Sequence, residues 1–247
     1  MHHFFVSPQA VREDRVTITG PDVNHIRNAL RMRQGESLLI SDGEGNDYHC
    51  QISSMENGLV EARIAKRRES RELPMRLYLF QGLPKSDKME LIIQKSVELG
   101  AYQVIPVITK NAVVKLDAKK EKSRLERWQA ISESAAKQSG RSRIPKVERI
   151  VSLKEALKMA EEFEQILIPY ENQPDMDTMK KALEAVGPDT RSVAVFIGPE
   201  GGFDESEILL AKEYGAVPVS LGRRILRTET AGLAILSLFM MKAEGAF

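Results

Sequence analysis

From about residue 73 onward, short apolar runs alternate with segments of helical periodicity, and this alternation restricts the fold more than any other feature of the chain. Strands joined through helices assemble into a mostly parallel sheet with helices on its faces, because a parallel connection needs a long crossover. The strand-like runs are Arg76 to Phe80, Val104 to Ile108, Gln165 to Ile168, Ser192 to Gly198 and Ala216 to Leu221. Asp87-Lys88-Met89-Glu90 reads as a capping box, an acidic N-cap with Glu three positions on. Its helix carries Met89, Ile92, Ile93 and Val97 on one side and stops at Gly100. Ser123-Arg124-Leu125-Glu126 reads as a second capping box, opening a helix toward Ser139. Further helices are predicted over Ser152 to Glu162, Met176 to Ala185 and Asp204 to Tyr214, with a last apolar helix after Glu229.

Residues 1–72 read differently, as a small β-rich domain. Val16 to Thr19 alternates and meets the turn pair Gly20-Pro21, and Leu38-Leu39-Ile40 runs into the hairpin signal Ser41 to Asp47. Leu59 to Ala65 alternates as another strand. A short helix capped by Asp22, with Ile26, Ala29, Leu30 and Met32 on its apolar side, is predicted between strands. The charged stretch Lys66 to Glu72, followed by Pro74, is the linker, which gives domains at 1–72 and 73–247.

The chain has 247 residues and a net charge of only +1, an average that hides an asymmetry. From Lys110 to Arg149 there are twelve Lys/Arg against five Asp/Glu, whereas from Val151 to Leu210 there are five against thirteen. A basic region of this kind fits an anionic partner as well as a solvated helix face. The longest apolar stretch, Leu233 to Met241, is too short to span a bilayer, and Met1 to Val6 lacks the pattern of a signal peptide. A single cysteine, Cys50, excludes an intramolecular disulfide and a Cys-built zinc site. His2, His3, His25 and His49 lack ligand-like spacing, so no metal site is predicted. These features read as a cytoplasmic protein with no membrane or metal partner.

Two motifs stand at strand ends. Gly198-Pro199-Glu200-Gly201-Gly202-Phe203-Asp204 follows the apolar strand Ser192 to Ile197. Glycines there permit a sharp turn and close approach to a ligand, although a plain β-to-α turn would look the same. The spacing matches neither the dinucleotide fingerprint nor the P-loop. Leu221-Gly222-Arg223-Arg224-Ile225-Leu226-Arg227-Thr228-Glu229-Thr230-Ala231 crowds three arginines at a second strand-to-helix junction. Capping by Thr228 or Thr230 explains a helix start there but not the density of arginine. A third segment, Lys137 to Pro145, places Arg141 and Arg143 on a Gly/Ser loop, where guanidinium forks suit phosphate. An ordinary exposed loop is the alternative. Arg27, Arg31 and Arg33 with His25 form a possible basic stripe on the small domain.

These segments, taken in order with His25 to Met32 and Lys88-Met89-Glu90 through Gln94 to Gly100, closely resemble the bacterial small-subunit ribosomal RNA uracil-N3 methyltransferases, members of the knotted SPOUT methyltransferase class. The resemblance implies an α/β fold: a C-terminal domain with a mostly parallel sheet and a trefoil knot, and a PUA-like N-terminal β-barrel that helps hold RNA. It implies a homodimer, S-adenosylmethionine as cofactor, and 16S rRNA or the 30S ribosomal subunit as partner. The adenosyl end would lie against Gly198, Pro199, Glu200, Gly201 and Gly202 and the backbone from Leu221 and Gly222 to Leu226. Ile197, Leu221, Ile225 and Leu226 would form apolar walls, with Pro169 and Tyr170, Thr228 and Thr230 completing the pocket. Arg227 would stabilise negative charge on the uracil, and Glu229 would act as base or orient Arg227. Arg27, Arg31, Lys88, Arg141 and Arg143 would meet RNA. A ribose methyltransferase acting on transfer RNA, an RNA-binding assembly factor without catalysis, and a small-molecule enzyme using the glycine turn for phosphate are the competing readings.

Overall fold

The computed structural model describes residues 1–56, 58–112, 118–173 and 175–247, in two compact units. The basic stretch beginning at Lys110 therefore includes 113–117, which lie outside the described residues.

The first unit comprises 1–72 and 136–144. Its strands are β1 (His3–Phe5), β2 (Val11–Arg12), β3 (Arg15–Ile18), β4 (Ser37–Ser41), β5 (Asp47–Ser54) and β6 (Val60–Arg68), in the sheet order β1-β4-β5-β6-β3-β2. Only β1 pairs in parallel, with β4. Asp42 Oδ1 accepts from the amides of Glu44 at 2.9 Å and Asn46 at 3.0 Å, which closes the β4–β5 turn that the glycine-rich sequence predicts. Irregularities in β5 at His49/Cys50 and Ile52/Ser54 bend the sheet. It curls around a core that includes Val16, Ile18, Ile26, Leu38, Ile40, Ile52 and Val60. The predicted short helix exists as α1 (Pro21–Asn24), continuing into a π-helical turn over His25–Ala29. Asp22 does not cap it: Gly20, at φ 72°, takes that position, because the chain must turn sharply before Pro21.

Segment 136–144 belongs to this first unit although the linear sequence assigns it to the second region. Polar burial explains why. The Glu72 carboxylate accepts from Arg141 Nε at 3.1 Å and from the amides of Ser142 at 3.0 Å and Arg143 at 3.1 Å. Arg141 Nη2 completes a forked ion pair with Glu72, and Arg141 is only 6% exposed. Ser142 Oγ donates to the buried Asp47 at 2.8 Å.

The second unit comprises 73–135 and 145–247. It contains β7 (Arg76–Gly82), α2 (Lys88–Glu98), β8 (Ala101–Ile108), α3 (Ala118–Ser139, whose end passes into the first unit), β9 (Lys146–Val147), β10 (Val151–Ser152), α4 (Leu153–Ala160), β11 (Gln165–Pro169), α5 (Asp177–Glu184), β12 (Ser192–Ile197), α6 (Glu205–Glu213), β13 (Val217–Val219) and α7 (Thr228–Ala243). The order β10-β8-β7-β12-β11-β13 is parallel throughout, and β9 adds a short parallel pairing to β8. Both faces are covered, so the strands are apolar on both sides. Tyr78, Phe80, Ala194 and Phe196 enter one core with Leu157, Ile166 and Ile208, and the Phe80 and Phe196 rings stack at 4.3 Å. Leu79, Ile197 and Gln81 meet α7 on the other face, at Gly232, where there is no side chain to hold them off.

Two helix starts differ from the sequence expectation. Asp87 precedes α2 but makes no side-chain cap, and Glu90 pairs with Arg127 at 2.8 Å instead. Ser123 lies inside α3, which begins at Ala118, so its capping-box pattern is a helix-interior coincidence. Asp204, by contrast, makes a complete capping box with Glu207 at the start of α6.

Replacing Glu72 with Ala leaves the Arg141 guanidinium buried without its carboxylate and should destabilise the first unit by about 3 kcal/mol or more. The measurement is urea unfolding followed by circular dichroism; a loss below about 1 kcal/mol would mean that the pair behaves like an exposed one.

Candidate active site

The sheet places its two sequence motifs together. From β7 the chain runs to β8 on one side and later returns to β11 on the other, with β12 filling the gap between. Ligands of parallel sheets bind beyond the carboxyl ends of strands where direction reverses in this way. There the structure has a cavity of about 420 Å³, within the usual range for small-molecule sites. It is lined by 169–171, 197–200, 202–203, 220–228 and Ala231. Among the residues predicted to hold the cofactor, Gly201 and Thr230 are not part of this lining. Ile225 borders it but is 86% exposed, so as an apolar wall it contributes little. Glu171 and Ser220 join the lining without having stood out in sequence, and Phe203 and Ala231, which the two motifs contain, join it without having been assigned a site role.

Close backbone approach forms the glycine turn. Gly202 adopts φ 64° and its amide donates to Pro199 O at 3.0 Å. A Cβ on Gly198 would lie 3.0 Å from the Gly202 carbonyl carbon. A Cβ on Gly82, at the end of β7, would lie 2.7 Å from Pro199 Cδ and 2.8 Å from Pro199 N. Thr228, 5% exposed at the start of α7, donates from its hydroxyl to Gly198 O at 2.6 Å and accepts from Gln81 Nε2 at 2.9 Å. The loop after β8 supports the turn from outside: Asn111 Nδ2 donates to Gly201 O at 3.0 Å, and the Lys110 amide donates to Glu207 at 2.8 Å.

Charges around the cavity divide into engaged and open groups. Glu200 accepts from the Lys85 amide at 3.1 Å and pairs with Lys88 Nζ at 2.9 Å. Burial alone would raise the pKa of Glu200; hydrogen bonds from Lys88 and backbone amides outweigh it, and the net shift is downward. The Lys88 ammonium is held above its ordinary value, first by its bond to Glu200. It also stands 3.5 Å from Glu229 Oε2, a buried atom with no hydrogen-bond partner among the described residues. The structure thus places Lys88, predicted to meet RNA, between two carboxylates. Arg223, Arg224 and Arg227 are exposed and line the cavity. Arg227 is the N-cap residue of α7 and makes no side-chain cap hydrogen bond. Of the groups predicted to meet RNA in the first unit, Arg27 and Arg31 are exposed, Arg141 is closed against Glu72, and Arg143 reaches Glu44 O. Among the described residues no group of three or more His, Cys, Asp or Glu stands together as a metal site. No described helix is long and apolar enough to cross a membrane.

The comparisons with known proteins agree with this architecture. The family described as RNA methyltransferase domain matches residues 71–240, and the family described as RNA methyltransferase PUA domain matches 18–65. A ribosomal RNA small subunit methyltransferase E of Bacillus subtilis is 36% identical over 99% of this chain and 98% of its own length. The solved ribosomal RNA small subunit methyltransferase E of Neisseria gonorrhoeae, bound to S-adenosyl methionine, superposes with a TM-score of 0.81 at 33% identity, covering 98% of this chain and 97% of that one. A methyltransferase of Legionella pneumophila, solved with the same cofactor bound, gives a TM-score of 0.80 at 31% identity over 97% of this chain and 96% of its own.

Two outcomes follow from the geometry. Gly82→Ala should cost about 1–3 kcal/mol by overpacking against Pro199, read as a lower thermal midpoint. Gly187→Ala, which meets no atom within 4 Å, is the control and should stay within about 0.5 kcal/mol. The Asp204 carboxyl is held at about 2, by the Ser206 hydroxyl first and then by Lys110 and the Ser206 amide. A folded pKa below the unfolded one gives stability that is complete above about pH 4 and lost as pH falls through about 2. Carboxyl NMR should therefore find Asp204 still ionised at about pH 3, where an unperturbed Asp is mostly protonated.

Proposed function

The chain belongs to the RNA methyltransferase family, alongside the ribosomal RNA small subunit methyltransferase E proteins, and we propose on that premise that it methylates N3 of a uridine in 16S ribosomal RNA, using S-adenosylmethionine. The observation that carries this reading is the meeting of the glycine turn and the arginine-rich segment in one cavity at the strand ends. The residues present fit the cofactor. Turn backbone offers donors and acceptors for adenine edges, Ile197, Leu221 and Leu226 offer apolar contact, and charged groups of both signs suit a zwitterionic tail. When bound, the cofactor supplies an electrophilic methyl group.

The chain's own residues have two tasks. Uridine N3 lies on the Watson–Crick edge, so the base must enter the site unpaired. N3 also carries a proton that must leave as the new bond forms. In this reading Arg227, the N-cap residue of α7 and part of the cavity lining, stabilises negative charge on the uracil oxygens. In this reading Glu229, in the first turn of the same helix, takes the proton or orients Arg227, with the Lys88 ammonium 3.5 Å from its carboxylate. Lys88 acts in this reading through Glu200 and Glu229 rather than on phosphate. Arg27 and Arg31 meet phosphates from the first unit, with Arg143 as a further contact, while Arg141 shapes the loop that carries it. The reading includes a homodimer, the 30S subunit as partner, and a cytoplasmic setting.

The experiment is transfer of labelled methyl to 16S rRNA from a strain lacking this protein, with the modified nucleoside mapped. N3-methyluridine at one position is the expected product; a ribose methyl or no transfer would overturn the reading. Arg227→Ala should lower turnover by about 100-fold or more with cofactor affinity nearly unchanged. Equal losses in both would make Arg227 a binding group.

A further inference from the structure

One carboxylate lining the cavity has no partner among the described residues. β11 ends at Pro169, the Tyr170 amide donates to Val219 O at 3.0 Å, and the Gln173 amide closes a turn onto Tyr170 O at 3.1 Å. That turn carries Glu171 over the glycine turn: a Cβ on Gly202 would lie 3.5 Å from Glu171 Oε2. The other lining carboxylate, Glu200, is occupied by Lys88 and the Lys85 amide. Glu171 makes no hydrogen bond or ion pair with any described residue, although Arg223, Arg224 and Arg227 line the same cavity. An acidic group left open among cations fits a cationic part of the ligand.

We propose that Glu171 is a charge-selective cofactor residue, favouring the sulfonium donor over its neutral thioether product. This rests on the function proposed above. In methyl transfer the carbon–sulfur bond breaks and the carbon–N3 bond forms. The N3 proton departs, and the sulfonium, having taken the bonding electron pair, becomes an uncharged thioether. Adenine, ribose and amino-acid tail are the same before and after. A group that contacts those shared parts holds donor and product alike; only a group that senses the charge at sulfur tells them apart. The three guanidinium groups work against a cation in the cavity, and Glu171 is the open carboxylate that offsets them. Its exposure to solvent keeps the effect moderate, about three- to tenfold in affinity. The consequence is turnover in a mixture: spent product competes less well for the site than fresh donor.

Isothermal titration of wild type and Glu171→Gln with S-adenosylmethionine, S-adenosylhomocysteine and sinefungin tests this without any RNA. Sinefungin carries a protonated amine in place of the sulfonium methyl. The variant should lose about three- to tenfold in affinity for the sulfonium donor and for sinefungin, and less than about twofold for the homocysteine product. Retained product binding also shows that the variant is folded. Raising the salt should narrow the wild-type preference for the donor. Equal losses for donor and product would overturn the proposal and make Glu171 a ligand of the ribose or ammonium. Unchanged affinities for all three would remove it from the site. A wild-type protein that binds none of them would overturn the cofactor reading itself, and this inference with it.

Discussion

The Thr228 hydroxyl is the point on which the site depends. It donates to Gly198 O and accepts from Gln81, so one buried oxygen joins the start of α7, the turn after β12 and the end of β7. Neither Gln81 nor Thr228 has water to fall back on, at 0% and 5% exposure. Breaking such a link leaves buried polar groups unsatisfied, at a cost of about 1–3 kcal/mol each. The cavity is the space between the two segments that this hydroxyl joins. Its shape is therefore set by packing below the turn, where Gly82 admits Pro199, rather than by the residues that face a ligand.

Electrostatics then divides the work among charged groups of similar appearance in sequence. Lys88 and Glu200 neutralise each other and fasten the turn to the start of α2. Glu229 shares the same ammonium at longer range, from the first turn of α7. Arg227, the N-cap residue of that helix, lines the cavity and makes no such ion pair with the described residues. A substitution at Lys88 would thus be felt at Glu229, across chain segments far apart in sequence, because a shared ammonium couples the two carboxylates.

Much of the fold was legible because its signals are local. Apolar runs over Arg76 to Phe80 and Ser192 to Ile197 became central strands of a parallel sheet, and the helix predicted from Asp204 formed with a capping box at its start. The same pattern misled at Asp87 and Ser123. A capping box records only that acids and hydroxyls stand at the right spacing, not whether the chain turns there. β1 was not seen because a three-residue strand pairing in parallel with β4 is defined by its partner. The small-domain membership of 136–144 was hidden for the same reason: Glu72 and Arg141 lie 69 residues apart and meet only in the folded chain.

The site shows the same division more sharply. Glycines at a strand end announce themselves, since φ 64° at Gly202 and the crowding at Gly198 exclude other residues. Arginine clusters announce themselves by composition, but composition does not say which guanidinium is closed. Arg141 and Arg227 look alike in sequence; one is buried against a carboxylate and the other is exposed at a helix start. The difference is the presence of Glu72, whose own neighbourhood reads as a charged linker. Glu171 is the converse case, one acid among thirteen in an acidic stretch, distinguished by its place in the cavity lining and by pairing with none of the described residues. For charged residues the informative quantity is the partner, and partners are a property of the fold.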